Sequence, residues 1–157
     1  AFYGPLVGSI ARVLAGPLAD RLGGARVTHW AGIGMLVCAI LVTLNTAPTS
    51  LDSFAMFVWA MLGLFAFAGV GNASTFKQMP MLFDPRQAGG VIGFTAAIAA
   101  YGPFLFGMLF AWAFAKADES SVAMGATPIF YGLAAFFALN VVLNWVFYAR
   151  KGAPYPC

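Results

Sequence analysis

Long apolar runs alternate with short polar breaks along the whole chain. The runs cover about residues 1–18, 27–44, 51–76, 90–115 and 129–148, and the third has an apolar continuation to residue 83. A helix of about 20 residues, rising about 1.5 Å per residue, crosses the roughly 30 Å hydrocarbon core of a bilayer. Barrel strands are about half as long and alternate apolar with polar residues. The pattern therefore predicts an all-α protein, a polytopic transmembrane helix bundle with five spans.

Composition excludes a soluble helical domain. Hydrophobic residues make up 62% of the 157 and charged residues 8%, with a mean hydropathy of +0.87. Soluble domains carry about 25% charged residues, so this chain has too few charges to cover a surface in water. The net charge is +3. Its cations lie almost entirely between the apolar runs, which is typical of membrane topology and not of a nucleic-acid partner.

The number of Lys and Arg residues alternates from one polar break to the next. The five breaks, counting the tail, hold 2, 0, 2, 1 and 2 Lys or Arg residues: Arg21 and Arg26, then none, Lys77 and Arg86, Lys116, and Arg150 and Lys151. The positive-inside rule places the first break, the third break and the tail in the cytoplasm. We therefore expect a multi-pass protein of the plasma membrane or cell inner membrane with a cytoplasmic C-terminus. A chain that starts outside without a leader is expected to have further helices before it.

Arg12 is the one charge well inside a span. Eight residues lie between it and Arg21, which puts it roughly 12 Å from the cytoplasmic end of the first span. An arginine this deep costs about 2.5–3.5 kcal/mol on insertion scales, so it is usually kept facing a cavity or a partner. Gly4, Gly8 and Gly16 share its helix face at four-residue spacing. Small side chains there leave room around the guanidinium, and they also suit plain helix packing.

The chemistry of Arg12 indicates a ligand class. Guanidinium is planar and permanently charged, and its paired N–H donors match a planar oxyanion or a carboxylate. The spans contain no Asp, Glu or His that would serve as an intramembrane proton carrier, since His29 lies at the edge of the second span. The two cysteines, Cys38 and Cys157, are far apart in sequence. We therefore expect no metal, no cofactor and no catalytic residue in this chain, and a small anion as ligand.

Two further segments combine small and polar residues. Residues 71–78 read GNASTFKQ, a density of polar residues typical either of an aqueous path or of a membrane interface. The fourth span is interrupted by glycines and Pro103, as are helices that flank transport sites, although such residues are common in membrane helices generally. Asn140 and Asn144, one turn apart in the fifth span, are expected to make helix-to-helix hydrogen bonds.

The first break carries a recognisable motif. Residues 16–26 read GPLADRLGGAR, which resembles the cytoplasmic loop motif of the major facilitator superfamily. That motif joins the second and third helices and, in a second copy, the eighth and ninth. With four spans following, the second copy fits, so the resemblance implies helices eight to twelve of twelve. The residues that carry it are Gly16, Asp20, Arg21, Gly23, Gly24 and Arg26.

Within that superfamily the chain resembles the NarK-type nitrate/nitrite porters. Residues 4–12 are similar to the eighth helix of that family, residues 71–77 to the tenth, and residues 93–104 to the glycine-rich signature of the eleventh, with Ala99 and Pro103 where glycines are often found. The resemblance implies that Arg12 contacts the substrate anion, together with an arginine from the absent first half. The substrate-binding residues it implies are Gly8, Arg12, Asn72, Ser74, Gly93, Thr95 and Gly102.

The function expected from these features is transport of nitrate and nitrite by alternating access, in the context of nitrate assimilation. The partners expected are the two anions, the lipid bilayer and the missing N-terminal helices. Two fixed positive charges, Arg12 and the arginine implied in the absent first half, favour nitrate/nitrite antiport, because no titratable group is visible in the spans. Proton-coupled nitrate symport and carriage of another small anion or carboxylate are the alternatives. A membrane anchor subunit of a redox enzyme is a different class, but it would need histidine ligands inside the spans.

Overall fold

The structure is a computed structural model that describes residues 2–47, 50–115 and 122–155. Five helices account for nearly all of these ranges, which confirms the all-α prediction. A π-helical turn, Trp145–Ala149, continues the last helix. The helices are α1 (Tyr3–Leu22), α2 (Gly24–Leu44), α3 (Leu51–Leu82), α4 (Pro85–Ala115) and α5 (Val122–Asn144).

Gly23 alone connects α1 to α2. Its φ of 89° is a conformation that costs glycine little and other residues much. Its N–H donates to the Ala19 carbonyl at 3.1 Å, which closes the last turn of α1. The next residue, Gly24, is buried against α3, where an added Cβ would lie 2.7 Å from the Gln78 side chain. Gly23 therefore makes the tight turn, and Gly24 allows the close packing behind it.

α3 is the longest helix, at 32 residues, and its start is capped by its own sequence. The Ser50 hydroxyl accepts a hydrogen bond from the Ser53 N–H at 3.2 Å, and Asp52 lies in the first turn. A hydroxyl acceptor and a carboxylate both stabilise a helix N-terminus, through the free N–H groups and the helix dipole. α3 continues through the polar segment to Leu82, so residues 71–78 are helical.

α3 lies at the centre of the bundle and packs extensively against both α1 and α2. The buried positions of the α1–α2–α3 core are mostly small residues, with Ala15 and Ala19 on α1 and Ala25 and Ala39 on α2. Lipid tails are as apolar as leucine, so membrane helices gain by close van der Waals contact between small side chains. The sequence builds this core from alanine and glycine accordingly.

α5 runs antiparallel to α2 and is hydrogen-bonded to it near both ends. Asn144 Nδ2 donates to the Ala25 carbonyl at 2.9 Å, as the expected helix-to-helix bond. At the opposite end, the hydroxyl of Thr46, two residues past the end of α2, lies 2.8 Å from the hydroxyl of Thr127 on α5. Asn140 instead donates within its own helix, to the Phe136 carbonyl at 2.8 Å. The two inter-helix bonds fix the position of α5 along α2.

α4 contacts only α3 and α5, and sparsely, among the described residues. Its side chains are mostly exposed, including Phe94, Tyr101 and Phe104, each more than 60% exposed. An apolar helix with so little cover is suited to lipid or to further protein, and not to water.

Four helical stretches are long and apolar enough to cross a membrane: Gly24–Leu44, Leu51–Leu82, Pro85–Ala115 and Gly125–Ala149. α1 is less apolar, because its 20 residues include Arg12, Asp20 and Arg21. That α1 also spans the membrane stays a prediction.

Candidate functional site

Arg12 lies near the middle of α1, on a side of the helix that is exposed. Its guanidinium carbon lies 5.8 Å from the centre of the Phe76 ring on α3. Among the residues that the structure describes, the guanidinium makes no hydrogen bond and no salt bridge. A cation over an aromatic face is held by about 0.5–2 kcal/mol, and this contact leaves the N–H donors free. Arg12 is thus oriented by Phe76 while its hydrogen-bonding capacity is unused.

Glycines bring α1 and α3 into backbone contact one turn from Arg12. A Cβ added at Gly69 would overlap the Gly8 carbonyl oxygen and lie 3.2 Å from the backbone nitrogen of Arg12. Likewise, a Cβ at Gly4 would collide with the Phe65 ring. The predicted site residue Gly8 therefore forms the helix crossing. Gly16, one turn beyond Arg12 on the other side, has no neighbour within 4 Å of an added Cβ.

Asn72 lies on the side of α3 that faces Arg12. At 3.6 residues per turn, Asn72 shares one arc of the helix with Gly69, which contacts α1, and with Phe76, which lies under the guanidinium. Its side chain is exposed. The structure therefore brings together a free guanidinium, an amide and an aromatic ring on one open face of the α1–α3 pair. We call Arg12, Asn72 and Phe76 the arginine face.

Ser74 lies on the opposite side of α3, against α2, and is fully buried. Its hydroxyl donates to the Gly71 carbonyl at 3.1 Å and lies 2.7 Å from the Thr28 hydroxyl, to which Gln78 Nε2 donates at 2.7 Å. Because the Ser74 proton goes to Gly71, Thr28 is the donor in the pair of hydroxyls. This chain of bonds joins α2 to α3. The structure places Ser74 in helix packing, and its contact with substrate stays a prediction.

Ser74→Ala is expected to destabilise the fold by about 1 kcal/mol, because the half-buried Thr28 hydroxyl then loses its acceptor. Thermal unfolding of the purified full-length protein in detergent measures the effect. Ser9→Ala, at an exposed position on α1, is the matched control and is expected to be neutral. Equal melting temperatures for the two variants would contradict the assigned network.

The α4 residues Gly93, Thr95 and Gly102 lie apart from Arg12. Among the described residues, α1 and α4 make no contact. Gly93 is exposed and Thr95 and Gly102 are partly exposed, and a Cβ added at either glycine has no neighbour within 4 Å. The described residues therefore do not form one closed pocket from α1, α3 and α4.

The loop motif makes one ion pair with α3. Lys77 Nζ donates to the two Asp20 carboxylate oxygens at 2.7 and 2.9 Å. Both side chains are about half exposed, so the pair is worth less than about 1 kcal/mol. Arg21 and Arg26 are exposed at the end of α1 and the start of α2. The motif thus connects three helices at one end of the bundle.

Sequence reasoning missed several of these partners. In the sequence Phe76, Lys77 and Gln78 stand only as members of the polar segment 71–78, and no partner is indicated for any of them. One signal was available for Phe76, since it follows Asn72 by four residues and shares its face. No local signal identifies Asp20 as the partner of Lys77, because 57 residues separate them.

The fold and the exposed, unpaired arginine define a multi-pass helical membrane protein with a candidate anion site. Comparison with known proteins gives the same class. The chain is 64% identical over its 157 residues to a probable nitrate/nitrite antiporter, NarK2, of Thermus thermophilus, covering 100% of this chain and 34% of that relative. It is 30% identical over 172 aligned residues to the nitrate/nitrite transporter NarU of Escherichia coli K12, covering 96% of this chain and 36% of that relative.

A more distant relative is the nitrite extrusion protein of Bacillus subtilis, 25% identical over 139 residues and covering 88% of this chain. The chain spans about a third of the length of the curated relatives it matches. No family model matches the chain. The chain belongs to the NarK-type nitrate/nitrite porters, as its motifs predicted.

Proposed function

We propose that this chain is the C-terminal part of a carrier that exchanges nitrate and nitrite across the plasma membrane or cell inner membrane. The observation that carries the proposal is the arginine face, where Arg12 stays without a hydrogen-bond partner among the described residues. Two parallel N–H donors suit the planar oxygens of nitrate or nitrite. The names of its relatives support the same pair of substrates.

The arginine face is open, so it needs a second wall. The opposing wall would come from helices outside this chain, which would supply a second cation. The anion would then be held between two bundles, and rocking of one bundle against the other would expose it to either side. Asn72 would contribute an amide donor beside Arg12. Gly93, Thr95 and Gly102 of α4, and Gly8 at the helix crossing, would line the path and allow close approach.

Exchange is favoured over proton symport by the charges on the arginine face. The described membrane-spanning residues around Arg12 offer a fixed cation and no carboxylate or imidazole to carry a proton. A second candidate function is carriage of another small anion or carboxylate, because the same guanidinium geometry accepts a carboxylate. The cations at the α1–α2 junction and in the tail support a cytoplasmic C-terminus, because cytoplasmic loops carry an excess of Lys and Arg.

Counterflow in proteoliposomes tests the proposal. Vesicles containing the full-length protein are loaded with nitrite and offered labelled nitrate outside. We expect nitrate uptake that depends on internal nitrite. Uptake that ignores internal nitrite and follows an imposed pH gradient would instead establish symport. Vesicles loaded with acetate or formate test the second candidate, which predicts that these anions also drive nitrate uptake.

A further inference from the structure

A cavity of about 380 Å³ opens where the α1–α2 junction meets the end of α5 and the tail. Three cations line it: Arg26 from the first turn of α2, and Arg150 and Lys151 from the tail. No carboxylate is among the described residues that line it. Arg26 is more than 120 residues from the two tail cations in sequence, yet in the fold all three line one opening. Three like charges around a cavity require an anionic occupant or bulk solvent to offset their repulsion.

The tail cations are held by a defined turn. The Ala153 N–H donates to the Arg150 carbonyl at 3.1 Å, and Gly152 has a φ of 76°, the geometry of a type II turn with glycine at its third position. Ala153 is buried, and the Tyr155 N–H donates to the Phe147 carbonyl at 3.1 Å. The tail therefore folds back on the end of α5. Arg150 and Lys151 are presented at the cavity by backbone bonds, as a pre-formed site requires.

The start of α2 adds a second attraction for an anion. Gly23, which precedes the helix, lines the cavity, and it offers no side chain to cap the free N–H groups of the first turn. That turn contains no acidic residue either. Free N–H groups and the positive end of the helix dipole both favour an anion at this position. Backbone and side chains thus point to the same kind of ligand, with negatively charged oxygens.

Aromatic residues place the cavity at the level of lipid headgroups. Trp30 lies one turn after Arg26 on α2 and is 70% exposed, and Trp145 lies one turn before the tail and is 50% exposed. Tyr148 lines the cavity itself. Exposed tryptophan and tyrosine at the ends of membrane helices mark the boundary between hydrocarbon and headgroups. The cavity lies just beyond this boundary on both helices, where a phospholipid phosphate resides.

We propose that this cavity binds the phosphate of one anionic phospholipid, with Arg26, Arg150 and Lys151 as its ligands. The aromatic boundary favours a lipid over free phosphate, because a lipid whose headgroup enters the cavity keeps its acyl chains beside exposed Trp30 and Trp145. Bound there, the lipid would bridge the α1–α2 junction to the tail and stabilise the end of α5. The inference depends on membrane placement and is independent of the transported anion.

Native mass spectrometry of the delipidated full-length protein tests this site. The protein is titrated with phosphatidylglycerol or with phosphatidylcholine of the same acyl chains. We expect one tight phosphatidylglycerol site that phosphatidylcholine does not fill. Each cation near a membrane surface contributes about fivefold in affinity, so Arg150→Gln with Lys151→Gln is expected to weaken the site about 25-fold. Lys151→Gln alone, on an exposed turn, is expected to weaken it about fivefold and serves if the double variant is unstable.

Arg86→Gln is the matched control, because Arg86 is an exposed cation at the start of α4 that does not line the cavity. Its phosphatidylglycerol affinity is expected to equal that of the wild type. Equal affinity in the tail variants and the wild type would overturn the proposal. Displacement of the lipid by excess inorganic phosphate, with phosphate binding in the absence of lipid, would assign the cavity to free phosphate and also overturn it.

Discussion

Arg12→Lys is expected to reduce nitrate/nitrite counterflow by about 10- to 100-fold while leaving the amount of folded protein unchanged. Lysine keeps the positive charge but loses the paired N–H donors. Hydrogen bonds to a charged group contribute about 1.5–3 kcal/mol, which corresponds to that range in rate or affinity. The fold is expected to tolerate the change, because Arg12 is exposed and its guanidinium makes no hydrogen bond or salt bridge among the described residues.

The measurement is initial uptake of labelled nitrate into nitrite-loaded proteoliposomes, normalised to folded protein. Arg86→Lys is the control, since it makes the same chemical change at an exposed loop position. Its transport is expected to match the wild type. Normal transport by Arg12→Lys would show that the residue is structural and would remove the arginine face as the anion site. Loss of transport in both variants would show that the effect is not specific to Arg12.

Gly69→Ala is expected to lower the stability of the bundle by about 1–3 kcal/mol. The added methyl would overlap the Gly8 carbonyl oxygen, so α1 and α3 must separate. Because the contact lies one turn from Arg12, the separation also moves the guanidinium relative to Phe76. We therefore expect a lower melting temperature together with weaker nitrate uptake.

Gly132→Ala is the matched control for this change. It also replaces a helical glycine by alanine, but an added Cβ at Gly132 has no neighbour within 4 Å. Both variants gain the same helix propensity, at most about 1 kcal/mol, so their difference isolates the overlap at the helix crossing. Thermal unfolding of both purified proteins in detergent gives that difference. A melting temperature for Gly69→Ala at or above that of Gly132→Ala would contradict the assigned crossing.

The helices and their connections followed from local features of the sequence. Apolar runs of membrane-spanning length predicted the five helices, and the loop motif with Gly23 and Gly24 lies at the junction of α1 and α2. Such features are readable because the length of an apolar run and the conformation of a turn depend on neighbouring residues. Arg12 was identifiable for the same reason, since a charge inside an apolar run is conspicuous without any knowledge of its surroundings.

The surroundings of each candidate residue were decided by the tertiary structure. Asn72 and Ser74 are two residues apart, yet one faces α1 and the other is buried against α2. Which face of α3 meets which neighbour depends on how the helices pack. Sequence alone determined that this chain is a membrane helix bundle with one arginine deep inside an apolar span. Tertiary packing decided that Ser74 joins two helices, that Lys77 pairs with Asp20, and that the tail meets Arg26, because side chains far apart in sequence become neighbours only when helix rotation and crossing are set.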